Sequence, residues 1–221
     1  MDFDFSVITD HARFLASGVG VTLALAALSG VTSIVAGLVL ALLRLYGPRV
    51  LRAGIVFYID SMRAIPVLVV LVWTFFALPI ATGLTMPPFW AALIGLTLHL
   101  APYAAEIVRA GVESVRPGQT RAAVALGMSR AQAVRRILLP QAIVRTLPAF
   151  GSLLSVTIKD TAIASVIAVP ELMRQSETIA GQSFQPIEVY TFAMLMYFLI
   201  LYPVTRGVDR FYGRVAHLGR S

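Results

Sequence analysis

Apolar positions along the chain gather into five long stretches. They cover about 14–43, 54–81, 89–105, 147–169 and 189–204. A membrane-crossing helix needs roughly 20 mainly apolar residues, each adding ~1.5 Å, to cross ~30 Å of hydrocarbon. The pattern therefore predicts an all-α membrane protein of five transmembrane helices, with residues 1–221 forming one unit. The first stretch carries no charge. Asp60 and Arg63 interrupt the second, and Lys159 and Asp160 sit inside the fourth. The fifth is the shortest and needs flanking residues to complete a span. Within the first, Ser29, Ser33, Gly37 and Ala41 recur every four residues. Small residues on one face let another helix approach closely; whether that helix belongs to this chain or to another subunit stays open.

Between the third and fourth stretches, residues 106–146 carry helix signals instead of loop composition. Glu106 to Val115 continues the third stretch. Pro117-Gly118 breaks the chain. Thr120 to Leu126 reads as a short alanine-rich helix, and Gly127 is placed to end it. Ser129-Arg-Ala-Gln132 has the form of a capping box. The helix that follows puts Ala131, Val134, Ile137 and Leu138 on one face and Arg130, Arg135 and Arg136 largely on the other. Leu139-Pro140 then predicts a helix boundary, because proline disfavours helix in the residue before it. Two short helices joined by a glycine turn fit either an interfacial element on anionic lipid or a docking element for a soluble partner.

Charge fixes the expected orientation. Of 18 basic residues, 17 are arginine and Lys159 is the only lysine, against 11 acidic residues. Fourteen of the basic residues fall on one alternating set of loops: after the first stretch, in 106–146, and in the C-terminal tail. Only Arg13 and Arg174 fall on the opposite set. The positive-inside rule then places the C-terminus and residues 106–146 in the cytoplasm and the N-terminus outside. The start, Met1-Asp2-Phe3-Asp4, lacks the basic region of a secretory signal, so the first stretch is expected to stay in the mature protein. With 58% apolar and 13% charged residues, a soluble globular enzyme and a disordered chain are both disfavoured. A net charge of +7 is explained by membrane topology and not by nucleic acid. The lack of cysteine excludes disulfide and thiolate chemistry.

Sequence-level chemistry is sparse. A phosphate-binding loop needs GxxxxGK[ST], and the sole lysine lies between Ile158 and Asp160, so ATP hydrolysis is not expected of this chain. His11, His99 and His217 fit no local metal spacing, and no GxSxG elbow is present. His99 is expected to be a hydrogen-bonded packing residue. No cofactor or metal is expected.

The segment Arg121-Ala122-Ala123, three residues, Gly127, nine residues, Ile137, one residue, Leu139-Pro140 resembles the EAA loop of ATP-binding-cassette importer permeases. Every spacing matches, and Arg121 stands where that family usually has Glu. Residues 58–66 (YIDSMRAIP), 117–119 (PGQ), 139–142 (LPQA), 159–163 (KDTAI) and 171–192 extend the similarity to the polar amino acid branch. The resemblance implies a type I importer permease of the bacterial inner membrane. It implies a second permease subunit, identical or related, and an extracytoplasmic substrate-binding protein. It also implies a cytoplasmic ATPase dimer that binds the ATP. Gly118, Arg121, Ala122, Ala123, Gly127, Ile137, Leu139 and Pro140 would then form the ATPase-coupling loop, with the helix up to Gly127 as the coupling helix.

The charges within the spans are the candidate substrate pathway. Ionisable groups cost about 2.5–3.5 kcal/mol each on insertion scales and usually face a cavity or a partner. Asp60 and Arg63 are three apart, so an internal ion pair is expected. Lys159 and Asp160 are adjacent and point different ways; one of them is expected to meet Asp60, Glu106, a second subunit or a solute. The competing readings are a self-contained channel or secondary carrier, disfavoured by the lack of a repeat, and a non-transporting membrane scaffold.

Overall fold

The computed structural model describes residues 4–216. Met1 to Phe3, His217 and Arg220 lie outside it. The described residues are nearly all helical, and four helices are long and apolar enough to cross a membrane; a bent pair counted as one span makes five.

A short helix α1 (Ser6–Asp10) leads into α2 (Ala12–Tyr46), which runs 35 residues. The small-residue stripe on α2 is buried. Its partner is this chain's own α6 (Pro88–Ser114). A Cβ on Gly37 would lie 2.5 Å from the Ala104 Cβ and 2.7 Å from the Ala101 carbonyl oxygen. Only a residue without a side chain admits that approach. Val31, Val35 and Val39, on the opposite face of α2, are exposed, as a lipid-facing surface should be.

The second predicted span is not a single straight helix. α3 (Arg49–Ala64) and the helical run Val67–Thr82 meet at an angle of 108°. Pro66 causes the break. It forces Ile65 into an extended conformation (φ −89°, ψ 131°) and starts the next helix, α4 (Val67–Val72). Neither arm, at about 24 Å for 16 residues, spans ~30 Å alone.

Residues 106–146 are largely helical, as their sequence signals predicted. α6 carries on to Ser114. After α5 (Leu78–Thr82) and α6 comes α7 (Pro117–Ala125), then α8 (Arg130–Ala133) and α9 (Leu139–Thr161). α8, a π turn (Val134–Leu138), α9 and a 3-10 segment (Ala162–Ile167) form one helical run, Arg130–Ile167, of 38 residues. The boundary predicted at Leu139-Pro140 is therefore absent. Proline lacks an N–H, and its ring clashes with the carbonyl four residues back. For Pro140 that carbonyl belongs to Arg136, inside the π turn. The wider turn, bonded i→i+5, absorbs the clash without ending the helix. The same device recurs in the bent arm, where the π turn Trp73–Ala77 joins α4 to α5 and contains Phe75, four residues before Pro79.

Two further elements complete the bundle. α10 (Leu172–Ser183) has no counterpart among the predicted spans, and α11 (Pro186–Val215) extends well beyond the short fifth stretch. The main core lies where α2, the bent arm, α6 and α9 meet, around Leu25, Leu71, Leu96, Leu100 and Leu153. A second cluster, with Leu15, Leu172, Ile179 and Val189, ties α2, α10 and α11 together. The bundle thus has an α7 end and an α10 end.

Candidate functional site: a charged cavity and an exposed short helix

A cavity of about 690 Å³ opens between α3, α6 and α9. Arg63 and Val67 line it at the bend, His99, Tyr103, Glu106 and Arg109 from α6, and Arg145, Ser152 and Asp160 from α9. Of the four span charges predicted for a pathway, Arg63 and Asp160 share this space. Asp60 and Lys159 do not line it, and both are exposed. Adjacent residues on a helix point about 100° apart, so Lys159 and Asp160 diverge as their spacing required.

The expected Asp60–Arg63 ion pair is not among the ion pairs of the described residues. Arg63 sits in the last turn of α3 and turns toward α6. Its guanidinium lies over the Tyr103 ring, 5.7 Å from the centroid. The Tyr103 hydroxyl donates to the Arg63 carbonyl at 3.4 Å. Such a cation–π contact leaves Arg63 its charge and several free donor directions. His99 also departs from expectation. It is 7% exposed, its Nδ1 has no hydrogen-bond partner among the described residues, and its ring centroid lies 5.5 Å from that of Tyr103. It belongs to the cavity wall.

Glu106 does not meet Lys159 or Asp160. It pairs with Arg44 from the end of α2 and with Arg109 at 2.7 Å. Arg109 also reaches Glu113 at 2.5 Å. Glu106 and Arg109 line the cavity, which continues past them to Ser114 and Arg145. The signal of this ion-pair relay was in the sequence, since 106, 109 and 113 follow the i, i+3, i+4 rule for one helix face.

α7 is stopped at Gly127 as its sequence predicted, but it starts three residues before the predicted Thr120, with Pro117-Gly118 forming its first turn and not a break. Gly127 adopts φ +91°, a left-handed conformation that glycine takes without strain. The Gly127 N–H donates to the Val124 carbonyl at 3.0 Å, and that of Met128 to Ala123 at 3.1 Å, the two bonds of a Schellman motif. The Ser129 hydroxyl accepts from the Gln132 N–H at 3.2 Å, and the Gln132 side chain accepts from the Ser129 N–H at 2.9 Å, completing the capping box. Ala123 faces inward. Gly118, Arg121, Ala122 and Gly127 are exposed, and Leu126 is 85% exposed. Ile137 is half-buried, and Leu139 and Pro140 are exposed on the run that follows.

At the α10 end sits a group that sequence reasoning did not single out. Glu171 is 0% exposed and caps α10, accepting from the Arg174 N–H at 2.7 Å and the Met173 N–H at 2.9 Å. The Tyr197 hydroxyl donates to it at 2.7 Å. Thr22 of α2 reaches it at 3.5 Å while accepting from the Leu172 N–H at 3.1 Å. Burial pushes the Glu171 carboxyl above its ordinary range, and the hydrogen bonds partly oppose that shift. A carboxylate at a helix start is a readable cap signal. Its partners, 149 and 26 residues away, are not.

Comparison with known proteins agrees with this architecture. The chain is 38% identical over 204 residues to the L-cystine transport system permease of Bacillus subtilis (strain 168), covering 90% of this chain and 85% of that one. It is 33% identical over 201 residues to the glutamine transport system permease of Escherichia coli (strain K12), covering 90% and 92%. Among solved structures, an amino acid ABC transporter crystallised with histidines superposes with a TM-score of 0.91 at 32% identity, over 97% of this chain and all of that one. The MetNI methionine ABC transporter, in inward facing conformations, shares the fold with a TM-score of 0.79 at 24% identity, over 93% of this chain and 98% of that one. The family model of binding-protein-dependent transport system inner membrane components matches residues 33–217, and the chain belongs to that family of multi-pass inner membrane permeases.

Proposed function

We propose that this chain is the membrane subunit of an ATP-driven importer of polar amino acids or related compounds such as opines. Residues 1–221 act as one permease unit. A separate ATPase pair hydrolyses the ATP, a second permease subunit completes the pathway, and an extracytoplasmic binding protein delivers the solute. In this reading α7 and the C-terminus lie in the cytoplasm, as the arginine distribution predicts.

The observation that carries the reading is the pairing of Arg63 and Asp160 on one cavity of about 690 Å³. An amino acid presents a carboxylate and an ammonium group. A cavity of a few hundred cubic ångströms, with a guanidinium on one wall and a carboxylate on another, matches both. The rest of the wall mixes apolar groups such as Val67, Leu100 and Leu153 with further charges, Glu106, Arg109 and Arg145. α7 supplies the second half of the mechanism. Closure of the ATPase pair displaces α7, and the bundle responds as a rigid-body switch between two arrangements.

The test starts with the complex that co-purifies with the tagged chain in mild detergent, reconstituted in vesicles with its binding protein. A stoichiometric ATPase is expected. An ATPase-free oligomer that still transports would establish a channel or carrier instead. Asp160→Asn is expected to lower uptake about tenfold or more, the order of one charge-assisted hydrogen bond, with assembly intact. Lost assembly with unchanged transport per assembled complex would make Asp160 structural.

A further inference from the structure

We propose that a hydrogen bond between Gln119 and Gln141 is the strap that makes α7 and α9 move as one body. This inference rests on the reading of α7 as the ATPase contact, and it names the residues that carry the motion inward.

α7 is joined to α6 only through the extended Val115 and the cap residue Arg116. Two residues with free dihedrals transmit little torque. α7 packs instead on α8 and on the π turn Val134–Leu138. That contact alone would be a poor lever, because the π turn is the irregular joint of the run and stands between α8 and α9. A π turn inside an α-helix is frequently found at a functional site. Force applied at α8 would bend the joint before it moved α9.

Gln119 bypasses the joint. Its Oε1 accepts from the Gln141 Nε2 at 2.5 Å, and Gln141 lies beyond the π turn, on α9 itself. Gln141 is 8% exposed. Its own Oε1 has no partner among the described residues, so the bond to Gln119 is the one that holds this side chain, through its NH2 group. Burial makes such a bond expensive to break. Beside it, Gly111 of α6 packs on Thr146 of α9, and Arg145 of α9 donates to the Ser114 carbonyl at the end of α6. From Gln141 to Asp160 the helix rises about 28 Å. A displacement of α7 therefore reaches the cavity wall along one continuous helix, α9, which Pro148 does not interrupt.

The test uses the intact complex in vesicles and reads solute moved per ATP hydrolysed. Gln119→Leu and Gln141→Leu are each expected to raise the ATP consumed per solute about fivefold, the order of one buried hydrogen bond. Gln119→Glu keeps the acceptor and is expected to stay near the wild-type ratio. A ratio unchanged in both leucine variants overturns the proposal. A second measurement does not depend on those variants folding well. The chain has no cysteine, so Gln119→Cys with Gln141→Cys can be bridged by a short bifunctional methanethiosulfonate, each thiolate displacing a sulfinate to form a disulfide that reduction cleaves. Bridged complexes are expected to keep at least half their transport, because the two helices travel together. A block that reduction relieves would show that they must separate, and would overturn the strap. A wild-type complex that contains no ATPase would overturn both this proposal and the coupling reading, before any variant is made.

Discussion

The two ends of the bundle are each closed by a short helix, and the two helices are held by opposite means. α10 begins on a fully buried carboxylate that accepts two backbone N–H groups and a tyrosine hydroxyl. It is packed against α2 and α11 through Leu172 and Ile179. α7 begins on a proline with no side-chain cap. Most of its surface is exposed, including Arg121, Val124 and Leu126. No Asp or Glu occurs between Val115 and Lys159, so the arginines around α7 have no acidic neighbour in sequence. One end is a seal whose energy comes from inside the chain. The other is a surface whose apolar and cationic groups remain for a partner. This asymmetry fits a transporter in which one end moves against an engine and the other anchors the spans.

The largest expected effect comes from breaking the seal. Glu171→Leu leaves the Tyr197 and Thr22 hydroxyls and two helix-start N–H groups without their acceptor. An orphaned buried donor costs ~1–3 kcal/mol and a lost cap ~0.5–2 kcal/mol, so thermal unfolding in detergent should show a loss of several degrees and a reduced yield of folded protein. At the opposite end, Leu126→Asp should change stability by no more than about 0.5 kcal/mol, as exposed positions do. It should nevertheless strip the ATPase from the purified complex. If Leu126→Asp unfolds the chain as Glu171→Leu does, or leaves the ATPase bound, the contrast between the two ends is wrong.

Much of the exposed end was legible in the sequence, and little of the seal was. α7, its glycine stop and its capping box depend on residues within about five positions of one another, and local chemistry of that kind is written in order along the chain. The small-residue stripe of α2 was also legible as a packing face, because its four-residue period is a helix property. Its partner α6 was not, because period says nothing about which helix approaches. The 108° bend at Pro66 was hidden by hydropathy, which sums across a break as readily as along a straight span. Pro140 misled in the other direction. The boundary rule treats proline as a stop, whereas a π turn lets the helix pass. The cavity could be read only in part. Arg63 and Asp160 stood out as charges in apolar surroundings. The role of His99 and the ion-pair relay of Arg44, Glu106 and Arg109 depend on how α2, α6 and α9 are set side by side.

The smallest expected effect sharpens the comparison through pH. Burial holds the folded-state pKa of Glu171 above the ordinary 4.5 of a glutamic acid. The groups facing it are the Thr22 and Tyr197 hydroxyls, two backbone N–H groups, and the like charge of Glu177, which adds to the upward shift. A carboxyl raised on folding binds its proton more tightly in the folded chain than in the unfolded one. Its contribution to stability is therefore fully present below about pH 4.5 and is lost as pH rises through the folded-state value. Glu171→Gln keeps the side chain's size and a carbonyl acceptor but cannot titrate. The stability of the wild type relative to Glu171→Gln should thus grow as pH falls from neutral. No Asp or Glu occurs between Val115 and Lys159, so the same titration should leave the proposed ATPase contact through Leu126 unaffected by this term. A difference between wild type and Glu171→Gln that does not vary with pH would show that the α10 end is sealed by packing alone, with the buried carboxylate acting only as a fixed acceptor.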